Sequence, residues 1–138
     1  MGLWSFAKTA GKKLWGGDDE PTVSALTKEV ADLGLDTSGL DISVEGDTVK
    51  VSGEAVDQET KEKVILAMGN VEGVSGVEDE TQGSDPVFHT VEKGDTLWGI
   101  SKAALGDGNR YNEIFEANKP MLSHPDKIYP GQVLRIPA

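Results

Sequence analysis

Apolar side chains at Leu3, Phe6, Ala7, Ala10 and Leu14 share one helical face, with Lys8 and Lys12 on another, so the spacing predicts a short amphipathic helix ended by Gly16-Gly17. A second helix starts among Asp18, Asp19 and Pro21 and carries Val23, Leu26, Val30 and Leu33 to a stop at Gly34. Ile42 and Val44, then Val49 and Val51, alternate with polar residues around a Gly46-Asp47 turn, which predicts a hairpin with one buried face. Asp57 caps a further helix with apolar positions Val64, Ile65, Met68 and Val71, broken by Gly69 and Gly73. Val74 and Val77 then alternate as a third strand. The order helix, strand, strand, helix, strand buries one sheet face under two helices.

Residues 81–86, Thr-Gln-Gly-Ser-Asp-Pro, have no periodicity and read as a linker. Beyond it, a strand over Phe88 to Val91 turns at Glu92 to Asp95 into a helix through Leu97, Ile100 and Ala104, which stops at Gly106. Tyr111, Ile114, Phe115 and Asn118 line a second helix, residues 120–131 form a proline-punctuated loop, and Val133 to Ile136 returns as a strand. The two end strands of this unit can pair antiparallel. The expected architecture is α+β: an N-terminal helix over 1–17, an αββαβ domain over 18–80, the linker 81–86, and a βααβ domain over 87–138.

Charge refines this picture. The net charge is −11, but residues 1–17 carry three lysines and no acid, residues 18–86 carry four lysines against eighteen acids, and residues 87–138 carry six of each sign. The acidic middle segment repels phosphate backbones, which argues against nucleic acid, and attracts cations. The basic first helix suits either a membrane surface or the acidic domain behind it, docking being the simpler option; no stable membrane insertion is expected. The N-terminal acylation pattern needs Ser or Thr at position six, where this chain has Phe6. The start also lacks the uninterrupted apolar run of a secretory signal, so a cytoplasmic protein is expected.

The chain has no cysteine and two histidines, His89 and His124, which are not paired by spacing. Thiolate sites and transition-metal clusters are therefore not expected. Serine nucleophiles lack a placed base, and no phosphate-cradling glycine loop is present. Nothing in the chain points to an enzyme.

The segments His-Thr-Val-Glu-Lys-Gly-Asp-Thr-Leu-Trp-Gly-Ile-Ser, Asn-Glu-Ile-Phe-Glu-Ala-Asn-Lys-Pro and Lys-Ile-Tyr-Pro-Gly-Gln-Val-Leu-Arg-Ile-Pro resemble a LysM domain. Val-Lys-Val-Ser-Gly and Asn-Val-Glu-Gly-Val-Ser-Gly-Val resemble a BON domain. BON followed by LysM, behind a Met-Gly-Leu-Trp-Ser-Phe start, is similar to a family of bacterial potassium-binding proteins. That resemblance implies a monomeric cytoplasmic protein that binds K⁺ and changes shape on doing so. It implies an ion site of main-chain oxygens from Ala7, Ala10, Lys12, Gly69, Val71 and Val74. A large, weakly hydrated ion suits neutral carbonyls better than carboxylates, and helix ends leave carbonyls without intrahelical partners. The LysM resemblance implies a competing function, binding of N-acetylglucosamine-containing glycans between Gly94, Asp95, Thr96 and Leu97 on one side and Ile128 and Tyr129 on the other. Alternatively that groove contacts the BON domain or another protein, or is vestigial. Asp95 also fits a plain role as helix cap, Tyr129 a place in the core, and Trp98 a packing residue.

Overall fold

The computed structural model describes residues 2–6, 22–71, 73–81, 87–119 and 121–137. The sheet of the first domain has four strands in the order β1-β4-β3-β2. The hairpin forms as expected: β2 (Leu40–Glu45) and β3 (Thr48–Gly53) pair antiparallel with Ile42 opposite Val51 and Val44 opposite Val49. β4 (Gly76–Thr81) runs parallel to β3, with Val77 opposite Val49, so the helix between them crosses one face of the sheet. That helix, α2 (Gln58–Gly69), is capped by the Asp57 carboxylate, which accepts the Thr60 N–H. α1 (Val23–Asp32) is capped by Thr22, and its Leu26 and Val30 meet Val64, Ile65 and Met68 of α2 in the core. Asp18 to Pro21, where the sequence suggested the helix start, lie outside the described residues.

The first element departs from expectation. Gly2–Ser5 is a strand, β1, paired antiparallel with the edge of β4, Trp4 opposite Val77, where the sequence predicted the start of a helix. Two physical reasons favour the strand. A short isolated helix gains little, whereas β4 offers an unpaired edge whose N–H and C=O groups need partners. The side chains then alternate as a strand demands: Leu3 is 65% exposed, Trp4 turns inward, and Phe6, just past the strand, is buried. The rest of the predicted helix, from Ala7 to Gly17, lies outside the described residues.

One ion pair sits inside this domain. Lys61 Nζ of α2 lies 3.4 Å from Asp79 Oδ2 of β4, both side chains almost completely buried. Thr81 donates its N–H and its hydroxyl to the other Asp79 oxygen, so β4 ends in a buried polar knot rather than in an apolar side chain.

The second domain is the expected βααβ unit with one added 3₁₀ turn. β5 (Phe88–Thr90) pairs antiparallel with β6 (Val133–Arg135), His89 opposite Leu134. Between them lie α3 (Leu97–Leu105), the 3₁₀ turn Gly108–Arg110 and α4 (Tyr111–Ala117). Gly106 ends α3 in the left-handed conformation that a glycine adopts without strain. Val91, Leu97, Ile100, Ile114, Leu122, Leu134 and Ile136 form its core.

The two cores meet. Val133 of β6 packs in the core of the first domain, and Phe88 and Met121 lie against it. The Trp4 and Phe88 rings stack edge-to-face at 4.7 Å between centroids. Glu62 of α2 accepts a hydrogen bond from Arg135 Nε at 2.7 Å and one from Gln58 Nε2 at 2.6 Å. Among the described residues no helix is long and apolar enough to cross a membrane.

Candidate ion-binding bend and glycan groove

The polypeptide leaving α2 bends sharply from Gly69 to Val74. Val71 and Val74 are buried, Gly73 takes φ +102°, and the Val74 N–H donates to the Val71 carbonyl at 3.1 Å. A carbonyl oxygen has two lone pairs, so this bond leaves the Val71 oxygen with acceptor capacity. Ser75 extends the bend by donating its N–H to the Asp47 carbonyl of the hairpin turn.

The start of the chain reaches this bend directly. Phe6 donates its N–H to the Ser75 carbonyl at 2.9 Å, and the tip of its buried ring abuts Gly69. A methyl group at position 69 would overlap Cζ, Cε1 and Cε2 of that ring, so the seat exists only because residue 69 is glycine. Gly69, Val71 and Val74 lie in one bend, and Phe6, the residue covalently preceding Ala7, is held against its Gly69 and Ser75. Ala7, Ala10 and Lys12 themselves lie outside the described residues. Among the described residues no group of three or more histidine, aspartate or glutamate side chains is placed to hold a metal.

The residues expected to hold a glycan are divided. Thr96 caps α3 by accepting the Gly99 N–H at 3.1 Å, and Leu97 is buried at its start. Both line a cleft of about 380 Å³ together with Trp98, Tyr111, His124, Pro125 and Asp126. Gly94 forms the preceding turn with φ +92°. Asp95 is not the helix cap; its carboxylate accepts the Glu92 N–H at 2.9 Å and lies 3.0 Å from His89 Nε2. These partners, the Glu92 amide first and then His89, hold the Asp95 carboxyl below its ordinary range. Ile128 packs on the core of the second domain, and Tyr129 lines a different cleft, of about 420 Å³, with Leu66, Ala67 and Asn70 of α2 and its end. Burial raises the Tyr129 phenol above its usual value.

Trp98 has a larger part in the groove than packing alone. Its ring covers Gly108 yet remains 49% exposed, with Lys102 Nζ 5.3 Å from the ring centroid. The first domain meets the second through Phe88, Met121, Val133 and Arg135, and Tyr129 borders the cleft shared with α2. The signal in the sequence was an aromatic next to the Gly-Asp-Thr-Leu turn and a His-Pro pair in the long loop, but which loop residues face the turn depends on the loop's path.

Comparison with known proteins fits this geometry. The BON domain family matches residues 18–83 and the LysM domain family residues 89–137. A protein of Escherichia coli O6:H1 named Potassium binding protein Kbp is 44% identical, over 99% of this chain and 99% of its own length. The chain belongs to the Kbp family. Other similar sequences include an uncharacterized protein of Deinococcus radiodurans, 33% identical over 75% of this chain and 46% of its own length. Another is the uncharacterized protein YqbP of Bacillus subtilis, 36% identical over 39% of this chain and 29% of its own length.

Proposed function

We propose that the chain binds K⁺ through main-chain oxygens of Ala7, Ala10, Lys12, Gly69, Val71 and Val74. In this reading it is a monomeric cytoplasmic K⁺ sensor or buffer whose conformation is linked to ion occupancy. The observation that carries it is the seat of Phe6 on Gly69, which fixes the start of the chain against the one bend whose carbonyls the site requires. Carbonyl dipoles suit a large monovalent ion, since they replace its hydration shell without the charge density that favours divalent ions. The resemblance to a relative whose name states potassium binding supports the same ion. No catalysis is part of the proposal.

Calorimetric titration of the full chain with KCl, NaCl and MgCl₂ at matched ionic strength tests it. Saturable heat with K⁺ and none with Na⁺ or Mg²⁺ is expected; equal heats for all three, or none for K⁺, reject the site.

A second reading, glycan binding, has its own observation: the open cleft between Thr96, Leu97 and Trp98 and the loop at His124 to Asp126. An exposed indole face beside backbone and carboxylate groups suits a sugar with apolar and polar faces. Titration with soluble N-acetylglucosamine oligomers, followed by amide shifts at Thr96 and Trp98, decides it.

A further inference from the structure

The two edges of β6 are satisfied in different ways. Gln132 accepts the Val91 N–H at 2.8 Å and Ile136 donates to the Val87 carbonyl at 3.0 Å, so the even-numbered residues face β5. Successive main-chain groups of a strand point in opposite directions, which turns the N–H and C=O of Val133 and Arg135 to the outer edge. Such an edge needs partners.

Two asparagines supply them, each carboxamide acting as a peptide group with one donor and one acceptor. Asn118, from α4 of the same domain, donates to the Arg135 carbonyl at 2.9 Å and accepts the Arg135 N–H at 2.7 Å. Asn70, from the BON domain, donates to the Val133 carbonyl at 2.8 Å and accepts the Val133 N–H at 2.9 Å. Each cap gives the strand one donor and one acceptor; Asn118 also donates to the Ile114 carbonyl of its own helix at 2.7 Å, whereas Asn70 comes from the other domain.

Asn70 lies between Gly69 and Val71, whose oxygens the proposed ion site uses. The Gly69 carbonyl and the Asn70 N–H belong to one peptide plane, which the Asn70 N–H already anchors to α2 by donating to the Leu66 carbonyl at 3.0 Å. An ion on the Gly69 oxygen would hold that plane, from which the Asn70 side chain departs, from its other end. We propose that Asn70 is the positioning residue that ties occupancy of the carbonyl site to the grip on the LysM edge strand; this rests on the K⁺ reading above. Coupling of this kind is reciprocal, so the clamp at Val133 also raises the affinity for the ion. The Glu62–Arg135 bond holds the same two domains from the first half of α2 and does not touch the bend, which makes it the control.

The test is amide hydrogen exchange of the full chain in K⁺ and in Na⁺ at equal ionic strength, with calorimetry on the same samples. In K⁺ the Val133 amide is expected to exchange at least roughly fivefold more slowly, the low end of ordinary coupling, while the Arg135 amide behind Asn118 stays unchanged. Equal changes at both amides, or none at either while K⁺ binds, overturn the inference. Asn70→Ala is expected to weaken K⁺ binding by at least roughly fivefold and Glu62→Gln to leave it nearly unaltered. Equal losses in the two variants also overturn it. If Asn70→Ala does not fold, the exchange comparison in the unaltered chain decides alone. If calorimetry shows no K⁺ binding by the unaltered chain, the ion reading itself has failed and the inference goes with it.

Discussion

Gly69→Ala tests the seat on which the ion reading depends. The new methyl group would occupy the space of the Phe6 ring tip. If the ring stays, overpacking costs about 1–3 kcal/mol. If it leaves, the loss of a buried Phe side chain costs about 1.5–3 kcal/mol. Replacing glycine by alanine in a helix returns at most about 1 kcal/mol, and less at a last helical residue. The net expectation is a destabilisation of about 1–2 kcal/mol, which moves a urea midpoint by roughly 0.5–1.5 M at ordinary m-values. In a Phe6→Ala background the methyl group meets space instead of a ring, so Gly69→Ala should become neutral or slightly stabilising. The double-mutant cycle should therefore show a coupling of about 2 kcal/mol, with K⁺ affinity lost in both single variants. If Gly69→Ala costs the same in the two backgrounds, Phe6 is not seated as described and the argument for the site fails.

Three further outcomes concern polar groups held by specific partners. Lys61→Met leaves the Asp79 carboxylate buried without its cation and should cost about 3–5 kcal/mol in chemical denaturation; a change below about 1 kcal/mol would contradict the buried pair. Asn118→Ala leaves the outward main-chain groups of Arg135 without their partner and should cost about 2–4 kcal/mol, read from the unfolding of the LysM signals. Asp95 has a folded-state pKa below its ordinary 3.8. Its contribution is thus fully present above that value and is lost as pH falls through the lower folded value. The difference in Tm between the unaltered chain and Asp95→Asn should be present at pH 6 and shrink as the pH is taken below 3.8; a difference that grows on acidification reverses the assignment.

Local periodicity was enough for the elements whose partners lie nearby in the chain. The hairpin, α2 and the four main elements of the LysM unit follow from spacing and caps over a dozen residues. β1 was not legible that way. Leu3, Phe6, Ala7 and Ala10 satisfy a helical period, whereas the strand period rests on Trp4 and Phe6 alone, and the edge that recruits them is β4, more than seventy residues further on. The same non-locality hid the Phe6 seat and both asparagine caps. Gly69 and Gly73 announced a bend but not what packs on it, and Asn70 looked like any polar residue at a helix end. In the LysM groove the turn residues Thr96 and Leu97 were readable, while Ile128 and Tyr129 turn elsewhere because the loop from residue 121 is held by the Asn118 carbonyl and by its contact with α2.

In the proposed K⁺ reading the acids of the BON segment and the carbonyls of the bend contribute differently to ion binding, and salt can separate them. Residues 18–86 hold eighteen acids against four lysines, a field that gathers any cation and has no means of distinguishing K⁺ from Na⁺. The described acids do not converge into a cluster, so they act at a distance, through solvent, where salt screens them within about 10 Å at 0.1 M. Carbonyl dipoles in contact with a dehydrated ion are screened far less, and the number and strength of those dipoles set the preference among alkali ions. Raising ionic strength with a bulky organic chloride should therefore weaken K⁺ binding severalfold while leaving the ratio of K⁺ to Na⁺ affinities where it was. A ratio that collapses towards one in high salt would mean that the acidic field, not the bend between Phe6 and Val74, selects the ion.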